Sequence, residues 1–336
     1  MTPTLRRLAR SPATFAVVGA LLAGGPSRGG QAPVARATAD AGTRERGTAV
    51  TFAFAPPPGT SYRQREIFIE TARLGGVQRR VSLASEVSVD ISHEAGRYFL
   101  RYRIDRAAAA RDGKASDAAM VAALAGGETV NIVRPDGVMA KIDGLRRLHE
   151  RLLPTLPAEE RAALTRRLRE SRLEDRSRAA WFEATEILAG QTLELGRDYF
   201  FDAAWPTDEG WIRHQTLLRL GPWEPTPHGR RLRLQLAYVD DAREDLPAAV
   251  RLEPRSPGGF APAAPGRIAR GFRIAGNASR LVDPSTLLVW RDQTVRQIRN
   301  RVEVSEELAV TVSSEEKTDI TLEPAPRAPE APPANP

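Results

Sequence analysis

The chain has 336 residues, 49 Lys and Arg against 42 Asp and Glu, a formal net charge of +7 and no cysteine. Without a thiol there are no disulfides, no thiolate metal sites, no cysteine nucleophile and no lipid-bearing cysteine of a bacterial lipoprotein. Lys114, Lys141 and Lys317 are the only lysines, so the basic residues are almost all Arg, as a GC-rich bacterial genome would encode them.

The opening "MTPTLRRLARSPATFAVVGALLAGG" has the form of an export signal. Arg6, Arg7 and Arg10 precede an apolar run from Ala13 to Ala23, which Pro12, Gly24, Gly25 and Pro26 bracket. A spanning helix needs about 20 apolar residues, so this run is too short for an ordinary membrane anchor. Residues 1–39 are therefore read as signal peptide and linker, exported by the ordinary route rather than the twin-arginine route. Small-residue cleavage points lie at Ala35/Ala37, at Ala37/Ala39 or nearer Ser27.

The leader also accounts for most of the positive charge. It holds five arginines and no acid, and removing them leaves 44 basic against 42 acidic residues, a net of +2. A polyanion-binding surface needs concentrated basic charge. The interspersed balance here excludes nucleic acid as the expected partner.

Alternation begins after the linker. "TAVTFAFAPPPG" reads as a strand stopped by prolines, and "TSYRQREIFIETARL" as a second, with Ile67 and Ile69 on its apolar face. In "VQRRVSLASEVSVDIS" Val81, Leu83, Val87, Val89 and Ile91 share one parity, and Tyr98, Leu100, Tyr102 and Ile104 follow in phase. Period two marks strands with one buried and one wet face, here in an antiparallel meander. Ser116 to Gly126 predicts a short helix. "ETVNIVRPDGVMAKIDG" predicts a hairpin turning at Pro135-Asp136-Gly137, where Pro fixes φ and Gly accepts a positive one.

Leucines at 145, 148 and 152, a possible cap at Thr155, and the stretch carrying Trp181 and Ile187 predict helices across 144–189, packed on the sheet. β-patterning returns with Leu232, Leu234, Leu236 and Tyr238, and about four strands follow from Ile268. The expected fold is thus α+β: a large curved antiparallel sheet with a helical insertion, spanning 48–322. Halves 48–143 and 190–322 share a plan that opens at Gly59/Tyr62 and Gly196/Tyr199, which a duplication and a plain meander explain equally well. Residues 323–336, rich in Pro and Ala, form a disordered tail.

Searches for chemistry return no catalytic, cofactor-binding or metal-ligating residue. His93, His149, His214 and His228 are scattered, and Arg97 stands where a zinc helix beginning "HEAGR" needs its second histidine. "DGKAS" lacks the upstream Gly and the hydroxyl of a phosphate loop. Asp240, Asp241, Glu244 and Asp245 lack calcium-loop spacing and read as a solvated turn. Trp205, Trp211 and Trp223 with Phe200 and Phe201 either line a ligand cavity or fill the core, and the core reading is favoured. The sequon Asn277-Ala278-Ser279 has little claim to carry sugar in a bacterial protein, and "VDPST" after it predicts a sheet corner.

The segments "PPGTSYRQREIFIET", "VRPDGVMAKIDG" and "RLVDPSTLLVWRD" resemble a family of uncharacterised bacterial exported proteins and lipoproteins. More distantly, the plan is similar to LolA-type periplasmic lipoprotein carriers, though this chain is larger. Export, the amphipathic sheet and the aromatic-rich segment point to a periplasmic or secreted, non-enzymatic envelope protein that holds lipid or another hydrophobic ligand against the concave sheet face. An envelope module with a protein partner is the alternative, and a hydrolase ranks last. No cofactor and no integral membrane anchor is expected.

Overall fold

The computed structural model describes residues 48–325 except 75–76, 113, 116–117, 159–160, 163, 166–173, 208–209, 241–248, 256–267, 270 and 304–308. The residues expected to form the export signal and the acidic turn beyond Asp240 lie outside the described residues, as does the expected tail beyond Ala325. So do Ser116, the predicted cap of the first helix, and most of the Pro/Gly loop before Ile268.

The chain is α+β and mostly strand. In sequence order the strands are β1 (Ala49–Thr51), β2 (Thr60–Leu74), β3 (Val77–Glu94), β4 (Arg97–Arg111), β5 (Lys114–Ala115), β6 (Glu128–Val133) and β7 (Met139–Asp143). After the helices come β8 (Thr192–Glu194), β9 (Asp198–Thr207), β10 (Gly210–Thr226), β11 (Gly229–Asp240), β12 (Val250–Arg251), β13 (Phe272–Val282), β14 (Val289–Glu303) and β15 (Ala309–Pro324). The helices are α1 (Ala118–Leu124), α2 (Leu145–Leu152) and α3 (Asp175–Trp181), the last running on as a π-helical turn, Phe182–Glu186.

One sheet runs through both halves in the order β12-β9-β10-β11-β13-β14-β15-β2-β3-β4-β6-β7, with β5 beside β4. Its pairs are antiparallel apart from β12 with β9. The join is made by β15, which lies along β2 from Val312 opposite Leu74 to Pro324 opposite Tyr62. Short turns bring successive strands together, but the pairing of last strand with first has no local signal in the chain.

The predicted hairpin forms between β6 and β7. Gly137 donates to the Arg134 carbonyl at 2.9 Å and adopts φ +84°. A Cβ there would lie 2.8 Å from Ala189 Cβ, so this turn requires glycine for space as well as for φ. "VDPST" is a turn as expected: Asp283 accepts from Ser285 N at 3.0 Å and from Ser285 Oγ at 2.6 Å. The first predicted strand is shorter than expected. Only Ala49–Thr51 pairs, with β8, and Phe52 and Ala53 instead donate to the carbonyls of Gln191 and Pro284.

The main core lies between the inner face of the sheet and the helices. Val81, Leu83, Val87, Val89 and Ile91 are buried as their parity predicts, and they pack with Leu124, Leu148, Phe182 and Ile187. A smaller cluster, Trp205, Ile212, Ile274, Ile298, Ala179 and Ala269, lies apart from it.

On β2 the observed parity is the reverse of the expected one. Tyr62, Gln64, Glu66, Phe68 and Glu70 are buried, whereas Ile67 is 37% exposed. A strand of fixed register turns alternate residues to opposite faces, so the polar set of β2 must point inward. The register with β3 and β15 fixes this: Phe68 stands opposite Leu83 and Thr318, and Glu66 opposite Ser85 and Ile320.

Candidate functional site

The inner face carries a band of charge across its central strands. Along one cross-strand row lie Ser85, Glu66, Ile320, Asp292 and Arg280, on β3, β2, β15, β14 and β13. Four residues further along the strands, Glu70, Glu316, Arg296, Gly276 and Tyr238 form a parallel row that extends onto β11. Ionised groups away from water persist only when paired and hydrogen-bonded, so the partners decide what each row can do.

In the second row Arg296 and Glu316 are paired while Tyr238 Oη and Arg296 Nε accept or donate no hydrogen bond, and the π-helical turn adds a further carboxylate. Glu183 enters from that turn and accepts a hydrogen bond from Arg296 Nη2 at 2.9 Å. His214 Nε2 stands 3.4 Å from the other Glu183 oxygen, a long approach that leaves both ring nitrogens and that oxygen without a good hydrogen bond. Burial opposes ionisation of Glu183, but Arg296, His214 and Arg280 together outweigh it and hold the carboxyl down at about 2. Arg296 also approaches Glu316 at 4.0 Å, and Glu316 accepts from Arg176 of α3 at 3.0 Å.

The guanidinium of Arg296 is wedged between two rings, 3.6 Å from the centroid of Trp205 and 4.5 Å from that of Tyr238. These cation–π contacts join the small cluster to the main core. Gly276, paired with both Arg296 and Tyr238, lets β13 approach β14 closely there, since a Cβ would lie 2.0 Å from the Val295 carbonyl oxygen. In the first row Arg280 donates to Asp292 at 2.6 Å and to the Glu183 carbonyl at 2.8 Å, and Thr294 donates to the other Asp292 oxygen at 3.2 Å.

Glu66 differs from all of these. It is 1% exposed, and neither of its oxygens accepts a hydrogen bond of ordinary geometry. Burial pushes its carboxyl well above the usual range, and nearby Gln64 offsets this only in part. Gln64 Nε2 and Ser85 Oγ are likewise buried without partners. Nearer the β6 edge, Thr129 Oγ1 and both amide atoms of Asn131 share that state.

The aromatic residues fill space, as the favoured reading holds. Phe201 and Phe182 meet edge to face in the main core, and Trp181 donates to the Gly137 carbonyl at 2.9 Å. Trp290 packs against Tyr62 and His228 beneath Arg231. The histidines stay dispersed: His149 Nδ1 donates to the Leu145 carbonyl at 2.8 Å, His93 lies against Tyr98, and only His214 joins the band. Among the described residues no group of three or more His, Asp or Glu is arranged to hold a metal ion, and no helix is long and apolar enough to cross a membrane. Sequence reasoning missed Gln64 and Glu66 because they stand on the parity of β2 opposite Ile67 and Ile69, and it missed Arg280, Asp292 and Arg296 because these charged residues interrupt the apolar parity of β13 and β14.

No protein-family model matches the chain, and no curated relative matches it either. Solved structures give distant likenesses. The β domain of the Bordetella autotransporter BrkA has 8% identity and a TM-score of 0.19, over 78% of this chain and 99% of that one. OccK5 of Pseudomonas aeruginosa has 7% identity and a TM-score of 0.22, over 81% and 100%. A DUF1329 family protein from Desulfovibrio piger has 11% identity and a TM-score of 0.12, over 80% and 87%. These scores are too low to carry a functional argument. Fold and band together define an α+β protein built on one large, mostly antiparallel sheet, with helices on one face and ionic groups enclosed between them.

Proposed function

We propose that the protein is a non-enzymatic, exported envelope protein that holds an amphipathic, lipid-like ligand against the inner face of its sheet. The observation that carries this reading is the set Gln64, Glu66 and Ser85: buried polar atoms without protein partners, beside the apolar side chains of Phe68, Leu83 and Val87. Buried polar groups in native proteins are almost always satisfied by protein, water or ligand, and leaving one unmade costs about 1–3 kcal/mol. A wet or liganded polar spot on an otherwise apolar face suits a molecule with one polar end and a long apolar body. Export rests on the N-terminal signal pattern.

Native mass spectrometry of the protein purified from its own periplasm, with organic extraction of the same sample, tests the reading. A bound amphiphile of defined mass that extraction releases is the expected result. Protein at its apo mass, with an empty extract and no uptake of a fluorescent fatty-acid probe, overturns it. A stable protein partner in place of a small molecule would favour an envelope interaction module instead.

A further inference from the structure

The set around Glu66 also specifies the chemistry of the ligand's polar end. Among the described residues, six carboxylates are buried (Glu66, Glu70, Glu183, Glu186, Asp292 and Glu316) against two arginines, Arg280 and Arg296. Both arginines are committed. Arg280 is held by Asp292 and the Glu183 carbonyl, and Arg296 by Glu183 with Glu316 beyond it. Arg176 is committed to Glu316 as well. Arg296 Nε, a guanidinium donor of the band without a partner, stands in the other row, and neither Glu66 oxygen accepts a hydrogen bond of ordinary geometry, with Gln64 beside it.

We propose, building on the ligand-holding reading, that Glu66 receives the ammonium group of a long-chain amino alcohol, with Ser85 and Gln64 completing the head-group site. An ammonium has three N–H donors. Two meet the Glu66 oxygens and the third meets Ser85 Oγ, the residue directly opposite on β3. Gln64 Nε2, one step along the same face of β2, donates to the hydroxyl oxygen beside the nitrogen. Each unpartnered atom of the set thereby gains a partner of the right polarity. An anionic head would be repelled by the Glu66 carboxylate, and a purely neutral one would forgo the charge-assisted bond, which is roughly twice as strong as a neutral one.

The probes are sphinganine, its neutral N-acetyl derivative and palmitate, titrated against the full-length protein and against Glu66→Gln, which keeps shape and removes charge. The wild type is expected to prefer sphinganine. Glu66→Gln is expected to weaken sphinganine about tenfold, a loss of one charge-assisted contact, while N-acetylsphinganine is unchanged. Arg63→Gln, on the exposed face of the same strand, leaves all three affinities as they were. Ser85→Ala, which keeps the carboxylate, provides a second variant should Glu66→Gln fail to fold, and it narrows the preference for sphinganine. Equal binding of all three probes by the wild type, or an unchanged preference in the folded variants, overturns the amino-alcohol assignment and leaves the ligand-holding reading standing. Failure of the wild type to bind any probe overturns both.

Discussion

Glu183 and Arg296 are 113 residues apart in sequence and form a buried ion pair at 2.9 Å. One stands on the π-helical turn, the other in the middle of β14, and the pair fastens the helical insertion to the C-terminal strands. Glu186 on the same turn accepts from Met139 N at 2.9 Å, so this single turn is tied both to the β7 edge of the sheet and to its middle. Removing one partner of such a pair leaves the other charge buried without compensation, at about 3–5 kcal/mol. Glu183→Ala is expected to lose stability on that scale in urea denaturation. Arg176→Ala, whose side chain is 24% exposed, is expected to lose about 1 kcal/mol or less. Equal losses would show that the Glu183 pair carries no special weight.

Glu183 and Glu66 make opposite contributions to acid stability. Glu183 is held at about 2 in the folded protein, below its ordinary value of 4.5. Its contribution is therefore complete above the ordinary value and is lost as pH falls from there through about 2. Glu66 is raised by burial, so between its ordinary and its folded values the native state binds the extra proton and stability falls as pH rises. Glu66→Gln should thus gain stability on the wild type as pH rises above the ordinary carboxylate value of 4.5, and the gain should be absent below it. Thermal melts of the two proteins across that range check both signs.

Much of the architecture is legible in the chain because local chemistry dictates it. The alternation of β3, the Pro135-Asp136-Gly137 turn and the Asp283 corner each follow from neighbouring residues. The site is illegible for the same reason. Alternation assumes that apolar side chains mark the buried face, and on β2 it selects Ile67 and Ile69. The face is decided elsewhere, by pairing with β3 on one side and with the distant β15 on the other, and this carries Gln64, Glu66 and Glu70 inward. On β14, which pairs with its neighbours in sequence, β13 and β15, Asp292, Thr294 and Arg296 are buried on the same parity as Ile298, and nothing in their polar side chains announces it. The π-helical turn that brings Glu183 to Arg296 has no signature in sequence either, because its residues continue a helical pattern.

Trp181 lends itself to a conservative test of the helix–hairpin contact. Its ring meets Phe54 edge to face at 5.8 Å, and Nε1 donates to the Gly137 carbonyl. Trp181→Phe keeps much of the ring contact and removes the donor. The expected loss is about 1 kcal/mol for one hydrogen bond, plus the lost ring volume. A neutral outcome in denaturant titration would show that water takes over the carbonyl.

Gly276 faces a more severe constraint. It sits mid-strand in β13 with φ +147°, and a Cβ there would lie 2.0 Å from the Val295 carbonyl oxygen on the neighbouring strand. The obstacle is backbone, which cannot rotate aside as a side chain would. Gly276→Ala must therefore push β13 from β14 at the point where Arg296 lies over Tyr238. The expected result is a loss of stability larger than that of Gly59→Ala, because Gly59, with φ +74°, meets nothing within 4 Å and bears only the backbone strain. Near-ultraviolet circular dichroism adds a local readout, since Trp205 and Tyr238 flank the same guanidinium. A changed aromatic signal in Gly276→Ala and an unchanged one in Gly59→Ala is the expected pair of results. The reverse pattern would mean that the close approach of β13 to β14 does not set the geometry of the buried band.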